Sequence, residues 1–340
     1  MSNRLTAWIN LAIRAPSGDN CQPWDLIFLD NKFRISINSE RAHHFLDQDL
    51  SASWISIGCL CENLRLSSKS YGFQCSFEIE SPTSVLVTWN NLPPESEPET
   101  ILAIYERHTF RGKLKNAFFN LAEYKEHYKN ISERALYEWQ ITPTVSKKLI
   151  WDWSWLETLL WLKTPLMSDF TKWLHQENEF FQDGITYEGL RISWPDKISL
   201  KVFKKLNILV KLVPFSLFLV KSYFRLNFLL KESAGLLSLS GPLKDYKDYF
   251  HAGCEIQRMW VFLTKKKIKS QPLSIQSLFL NFLDMPLNRE LFSSVQLQRM
   301  HTIRDKTYTD LKINQNLIFS FRFGYSEARN SPLPRRRIQN

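Results

Sequence analysis

The sequence predicts an α+β protein made of two similar lobes in tandem, and three observations carry that expectation. Apolar residues alternate between helical and strand-like spacing on both sides of a polar, Pro-rich break, NNLPPESEP, at 90–98. The pair Gly58-Cys59, followed by Glu62, recurs 195 residues later as Gly253-Cys254, followed by Gln257. Each pair starts inside an amphipathic segment that runs into a strand candidate. The chain has 340 residues, more than twice the roughly 150 typical of one domain. The break divides it into residues 1–92 and 93–340, the second part carrying a helical insertion at about 120–232.

In the first part, Leu5, Trp8, Ile9, Ala12 and Ile13 recur at helical spacing and predict a helix over 4–15. Ala15-Pro16-Ser17-Gly18-Asp19-Asn20 is turn chemistry. Residues 24–29 and 33–38 are strand-like. Trp54, Ile55, Ile57, Leu60, Leu64 and Leu66 predict a long helix over 49–71, with Gly72 as its C-terminal cap. Strands are expected at 75–80 and 84–89, before the break.

In the second part, residues 99–111 hold a short helix running into Arg107-His108-Thr109-Phe110-Arg111. Helices are expected to fill 120–180, which holds five of the twelve tryptophans between Trp151 and Trp173. The stretch 202–230 is the most hydrophobic, but Lys204, Lys205, Lys211, Lys221 and Arg225 interrupt it and Pro214 divides it. Its longest apolar run, 212–220, is too short to span a bilayer, which takes about 20 residues. A helical hairpin or surface segment is expected instead. A strand at 234–240, a helix at about 244–266 and a last strand at 317–323 lead to the tail PLPRRRIQN.

Composition excludes several classes. Hydrophobic residues make up 44% and aromatics 14%, which is too rich for a disordered chain. Neither GxGxxG nor GxxxxGK[ST] occurs, so a Rossmann fingerprint and a P-loop are absent. The five cysteines form no CxxC pair and lack an H-x3-5-H partner, so no metal site is expected. They read as reduced, mostly buried thiols of a cytoplasmic protein. Residues 1–13 lack the basic start, apolar run and cleavage site of a secretory signal.

The segment Ala15-Pro16-Ser17-Gly18-Asp19-Asn20-Cys21-Gln22-Pro23-Trp24 resembles the APSxxNxQPW stretch of the FMN-dependent nitroreductase family, matching at seven of ten positions. Arg107-His108-Thr109-Phe110-Arg111 resembles the R-x-[ST]-x-R/K segment that grips the FMN phosphate. Pro334-Arg335-Arg336-Arg337 resembles the basic C-terminal element that reaches the same phosphate. The stretch from His251 to Trp260, continued by Gln271-Pro272-Leu273-Ser274, resembles the family's core helix and flavin-edge strand. The order departs from ordinary members, in which the R-x-[ST]-x-R/K segment comes first. The chain resembles the fused branch, in which two half-copies mimic the family's homodimer.

This resemblance implies an α+β nitroreductase-like fold, with an antiparallel-rich sheet flanked by helices in each lobe. It implies one FMN site assembled from both halves, with no second chain required. It implies hydride transfer between NADH or NADPH and an unsaturated or nitro acceptor, or flavin-dependent dehydrogenation in a biosynthetic pathway. The small-molecule substrate is not specified. The same branch includes proteins that sequester flavin with little reductase activity, and that alternative stays open.

The residue types suit such a ligand. Arg107 and Arg111, with Thr109 between them, offer fork-shaped cations and a hydroxyl to a phosphate dianion. Arg335, Arg336 and Arg337 are candidates to complete that cage. Ser17, Gly18, Asn20 and Gln22 offer hydrogen bonds to the flavin's polar parts, while Pro16 and Pro23 stiffen the loop. Gln271, Pro272, Leu273 and Ser274 would line the flavin edge. Taken alone, RHTFR is a solvated charge pair at a helix end and PRRR a frayed tail. Flavin carries the redox chemistry itself, so no catalytic acid–base pair is assigned.

The net charge is +10, and eight of the cations lie in 197–231, a stretch without a single Asp or Glu. Helices covering the core with Lys stems are the preferred reading of that segment. Weak peripheral contact with an anionic membrane is the alternative. Nucleic-acid binding is not expected, because no helix-turn-helix or RNA-binding signature accompanies the charge. The tryptophans Trp151, Trp153, Trp155, Trp161 and Trp173 belong either to a pocket or lid or, more ordinarily, to helix cores.

Overall fold

The structure, a computed structural model, describes residues 3–42, 45–131, 135–176, 181–192, 194–205, 214–283, 285–328, 333 and 335–336. The chain is a mixed α+β protein with antiparallel sheets flanked by helices.

The first part runs α1 (Asn3–Ala12), β1 (Trp24–Leu29), β2 (Lys32–Ile37), α2 (Ser39–Ala42), α3 (Ser51–Ser68), β3 (Phe73–Ser81) and β4 (Ser84–Asn91). Asp30 and Asn31 make the tight turn that joins β1 to β2. A 3₁₀ turn over Lys69–Tyr71 extends α3, and Gly72 closes it in the left-handed conformation, φ 66°, as expected of a C-terminal cap. Residues 92–97 are exposed coil.

The second part starts with α4 (Pro98–Glu106), α5 (Leu121–His127), β5 (Glu138–Thr142), α6 (Lys147–Trp161), α7 (Thr164–Lys172), β6 (Leu174–His175), β7 (Ile185–Thr186), α8 (Trp194–Lys205) and α9 (Phe215–Lys231). It continues with β8 (Gly235–Gly241), α10 (Tyr246–Lys265), β9 (Lys269–Pro272), α11 (Ser274–Leu278), α12 (Pro286–Leu291), α13 (Ser294–Asp310) and β10 (Asn316–Gly324). One expectation is corrected here. Residues 120–180 are not all helical, because β5 pairs along its whole length with β8. The short helix within 99–111 ends at Glu106, and Arg107 leaves it with extended backbone, ψ 122°.

The two four-stranded sheets share one topology. The first has the order β1-β2-β4-β3 and the second β5-β8-β10-β9. Numbered in chain order within each sheet, both read first, second, fourth, third, and every pairing is antiparallel. The long helix falls between the second and third strand in both: α3 in one, α10 in the other.

Helices α3 and α10 pack directly on each other at the centre, and both are buried along most of their length. The Gly-Cys pairs that repeat in the sequence meet at this crossing. The Cys59 thiol donates to the Gly253 carbonyl at 3.1 Å, and the Cys254 thiol donates to the Gly58 carbonyl at 3.3 Å. The next turn repeats the exchange in polar form. Arg258 donates twice to the Glu62 carboxylate, at 2.9 and 3.1 Å, while the Gln257 amide donates to Asn63 Oδ1 at 2.6 Å. Residue i contacting j′ while j contacts i′ is the pattern of a two-fold interface.

The main core gathers Trp8, Ile57, Leu60 and Phe73 from the first part with Trp260, Ile318 and Phe321 from the second. In a second core, Trp153, Leu156 and Leu160 of α6 pack with Leu226 and Leu230 of α9, Met300 and Ile303 of α13, and Leu317 of β10. Helix α13 starts with a capping box between Ser293 and Gln296. No helix among the described residues is long and apolar enough to cross a membrane.

Candidate functional site

Two adjoining chambers are lined by both the loop after α1 and the segment after α4. In the loop, Asp19, Asn20 and Gln22 all adopt positive φ, at 45°, 59° and 51°. Three non-glycine residues in that region within four positions mark a strained loop that its surroundings must hold. The Ser17 hydroxyl accepts from the Gln22 backbone N–H at 2.9 Å. The Asn20 amide donates to the Gly184 carbonyl at 3.0 Å, and the Gln22 amide donates to the Gln182 carbonyl at 2.8 Å.

Residues 107–111 are extended and run beside β9. Thr109 forms a parallel bridge with Ser270, and the Phe110 N–H donates to the Ser270 carbonyl at 2.9 Å. Extended backbone puts alternate side chains on one side. Arg107, Thr109 and Arg111 therefore share a face toward the chambers, while Phe110 is fully buried in the core. Hydroxyl and guanidinium groups at every second residue form one donor row.

The larger chamber, about 490 Å³, is lined by five arginines, Arg14, Arg107, Arg111, Arg191 and Arg335, against two carboxylates, Asp19 and Glu188. Arg107 is buried, donates to the Arg14 carbonyl at 2.7 Å and lies 4.5 Å over the Trp260 ring. Its Nε has no hydrogen-bond partner among the described residues. Burial pushes the Arg107 guanidinium down to about 10, and Arg14 adds to the effect against an opposing pull from Cys59. Burial also lowers Arg111, and burial with repulsion from Arg107 and Arg14 lowers Arg335 strongly. Cations crowded together and desolvated in this way favour an anion among them.

The smaller chamber, about 260 Å³, is mostly apolar. Ile55, Trp260, Pro272 and Leu278 form much of its wall, and Trp161, Leu166 and Phe170 of the insertion roof it. Trp161 and Phe170 pack edge to face with centroids 5.0 Å apart. Of the five tryptophans between 151 and 173, only Trp161 lines this chamber; Trp153 and Trp155 are core residues. Cys21 and Cys59 also face it, but burial raises both thiols, so neither is a thiolate nucleophile.

Asp47, buried in the same wall, was not among the expected site residues. Its carboxylate accepts from the Ala52 N–H at 2.6 Å and the Ser53 hydroxyl at 2.5 Å, and so caps α3. Burial still pushes it up to about 7, the Ser53 and Ala52 hydrogen bonds pulling the other way and Asp49 adding to the rise.

The expected residues divide as follows. Pro16, Ser17, Thr109 and Arg111 line both chambers and form the passage between them. Asn20, Arg107 and Arg335 line the arginine chamber; Gly18, Gln271, Pro272 and Ser274 line the apolar one. Gly18 faces open space, with no atom within 4 Å of where a Cβ would stand. Arg322 holds the Gln271 carbonyl by an Nε–Oε1 hydrogen bond of 2.7 Å.

Gln22, Leu273 and Arg336 line neither chamber. Gln22 is used in tying the loop to residue 182 and to the Arg336 N–H, which donates to its Oε1 at 2.9 Å. Leu273 is buried in the second core. The Arg336 guanidinium pairs with Asp183. Arg337 and Pro334 lie outside the described residues. Arg335 anchors the tail in the site by donating to Asn20 Oδ1 at 2.7 Å and to the Arg14 carbonyl at 3.3 Å.

Arg14 and Arg191 were not expected in the site. Arg14 directly precedes the APS loop, which is a usable signal. Arg191 comes from the insertion and has none. No protein-family model matches the chain, and no curated protein matches it.

Proposed function

We propose that this chain is a nitroreductase-like, FMN-dependent oxidoreductase that binds one flavin between two fused half-copies. One observation carries the reading: the APSGDNCQPW loop, the RHTFR segment and Arg335 of the tail, far apart in sequence, converge on one pair of connected chambers. The shared strand order of the two sheets and the reciprocal contacts between α3 and α10 support a tandem pseudo-dimer.

The residues fit the cofactor. The arginine chamber has the charge for a phosphate dianion, and the Nε of buried Arg107, without a partner among the described residues, is a donor in want of an acceptor. Arg107, Thr109, Arg111 and Arg335 would hold the phosphate. The apolar chamber, walled by Pro272 and Trp260, suits a flat aromatic ring. Together the chambers, about 490 and about 260 Å³, fall within the size range of small-molecule sites. When bound, FMN supplies the hydride relay between NADH or NADPH and an unsaturated or nitro acceptor. The chain's contribution is to bind, orient and exclude water.

The roof of Trp161, Leu166 and Phe170 favours a second reading, in which the chain sequesters flavin with little turnover. Anaerobic addition of NADH or NADPH to the flavin-loaded protein separates the two. Rapid bleaching of the flavin absorbance supports the reductase, and a persistently oxidised flavin supports sequestration. A protein that cannot be loaded with FMN overturns both.

A further inference from the structure

The insertion's outer surface carries a feature that the flavin site does not use. Helix α9 buries Ser222, Leu226 and Leu230 against the core. Its opposite face exposes Leu217 (66%), Val220 (45%), Phe224 (65%) and Phe228 (46%), which recur every three or four residues. Helix α8 does the same with Trp194 (74%), Ile198 (40%) and Val202 (38%). An ion pair from Lys221 of α9 to Asp196 of α8 ties the two helices.

Exposed cations lie among these side chains. Exposed Lys201 and Lys205 lie on α8 and exposed Lys231 ends α9, whereas Lys204 donates to the Leu174 carbonyl at 2.7 Å and Lys221 and Arg225 are held by Asp196 and Glu157. Lys113 lies 5.7 Å from the Phe228 ring. The carboxylates nearby are engaged: Asp196 with Lys221, Glu188 with Lys197, and Glu157 with Arg225.

We propose that the outward faces of α8 and α9 dock the protein on an anionic lipid surface, with the apolar side chains in the headgroup boundary and the cations at the phosphates. Large apolar side chains on one face, with Lys and Arg around them, are the composition of interfacial helices. No described helix can cross a bilayer, so the contact lies along the surface. A second copy of the chain fits worse, because two such faces would oppose like charges, and Lys is depleted from protein interface cores. Nucleic acid fits worse because seven exposed apolar side chains would meet only a charged backbone. Helices α9 and α8 pack behind α6 and α7, which carry the roof of the apolar chamber.

Co-sedimentation of the full chain with phosphatidylcholine vesicles, with and without phosphatidylserine, tests this. Binding to the anionic vesicles, weakened by salt, is expected. Phe224→Glu with Phe228→Glu should lower the partition constant roughly a hundredfold, about tenfold for each ring withdrawn from lipid. Lys201→Glu with Lys205→Glu should lower it at least about fivefold for each cation removed. Melting temperature and flavin retention, measured on the same samples, should be unchanged, which separates this result from failure to fold or to hold FMN. Wild type left in the supernatant, equal binding to neutral vesicles, or variants that bind like wild type would each overturn the proposal. So would a wild type that self-associates in solution through residues whose replacement makes it monomeric.

Discussion

Gly58 and Gly253 face each other where α3 crosses α10. A Cβ on Gly58 would stand 2.1 Å from the Phe250 carbonyl oxygen, and one on Gly253 would stand 2.1 Å from the Ile55 carbonyl oxygen. Backbone cannot yield as a flexible side chain can, so the helices must separate to admit a methyl group. In a free helix, Gly→Ala is worth about 1 kcal/mol of stabilisation. Here Gly58→Ala or Gly253→Ala should instead destabilise by about 1–3 kcal/mol or more. Gly18→Ala, with nothing near its Cβ, should change stability by less than about 0.5 kcal/mol. Urea unfolding of the three variants checks both statements.

The polar centre below that crossing should behave as a unit. Arg258 is buried and bonds to two buried carboxylates, Glu62 and Glu255; the Tyr124 hydroxyl and the Trp139 indole also donate to Glu255, at 2.7 and 2.9 Å. Arg258→Met leaves both carboxylates without their shared cation. A loss of about 3–5 kcal/mol is expected. Adding Glu62→Gln and Glu255→Gln should recover part of it. The shift in denaturation midpoint across this series is the measurement.

Much of this centre was legible in the sequence. The Gly-Cys repeat marked both helices, and the APS loop and RHTFR named seven of the residues that now line the chambers. The donor row of Arg107, Thr109 and Arg111 is visible as an i, i+2, i+4 pattern. What stayed hidden depends on partners distant in sequence. EWQIT at 138–142 is a strand only because β8 pairs with it, and no local period announces that. Arg336 has the residue type of a phosphate ligand, but its partner Asp183 lies 153 residues away in sequence. Asp47 gave no signal, because its place in the wall follows from capping α3. The basic segment disclosed its charge, whereas which apolar side chains face outward required knowing where the core lies.

Asp47 should make stability depend on pH. Its folded value of about 7 lies above the usual carboxyl value of about 3.9, so the folded state holds the proton more tightly than the unfolded chain. Its contribution is complete below the unfolded value and is lost as pH rises through about 7. Each unit between the two values is worth about 1.4 kcal/mol. Wild type should therefore lose stability relative to Asp47→Asn between acid and mildly alkaline pH. Parallel melting-temperature curves for the two proteins would refute this.

An anion should stabilise the arginine chamber. Whatever binds the folded state alone raises stability by mass action. Inorganic phosphate should raise the wild-type melting temperature more than chloride at equal ionic strength. The increment should shrink in Arg111→Ala and persist in Arg336→Ala, whose guanidinium already pairs with Asp183.

The central claim is one FMN per chain, held by Arg107 and Arg111. Titration of flavin-free protein with FMN, followed by quenching of flavin fluorescence, tests it most directly. The expected result is saturation at one FMN per chain, with affinity falling roughly tenfold to a hundredfold in Arg107→Ala and in Arg111→Ala, the value of one charged hydrogen bond. Absence of saturable binding, or an affinity unchanged in both variants, would contradict it.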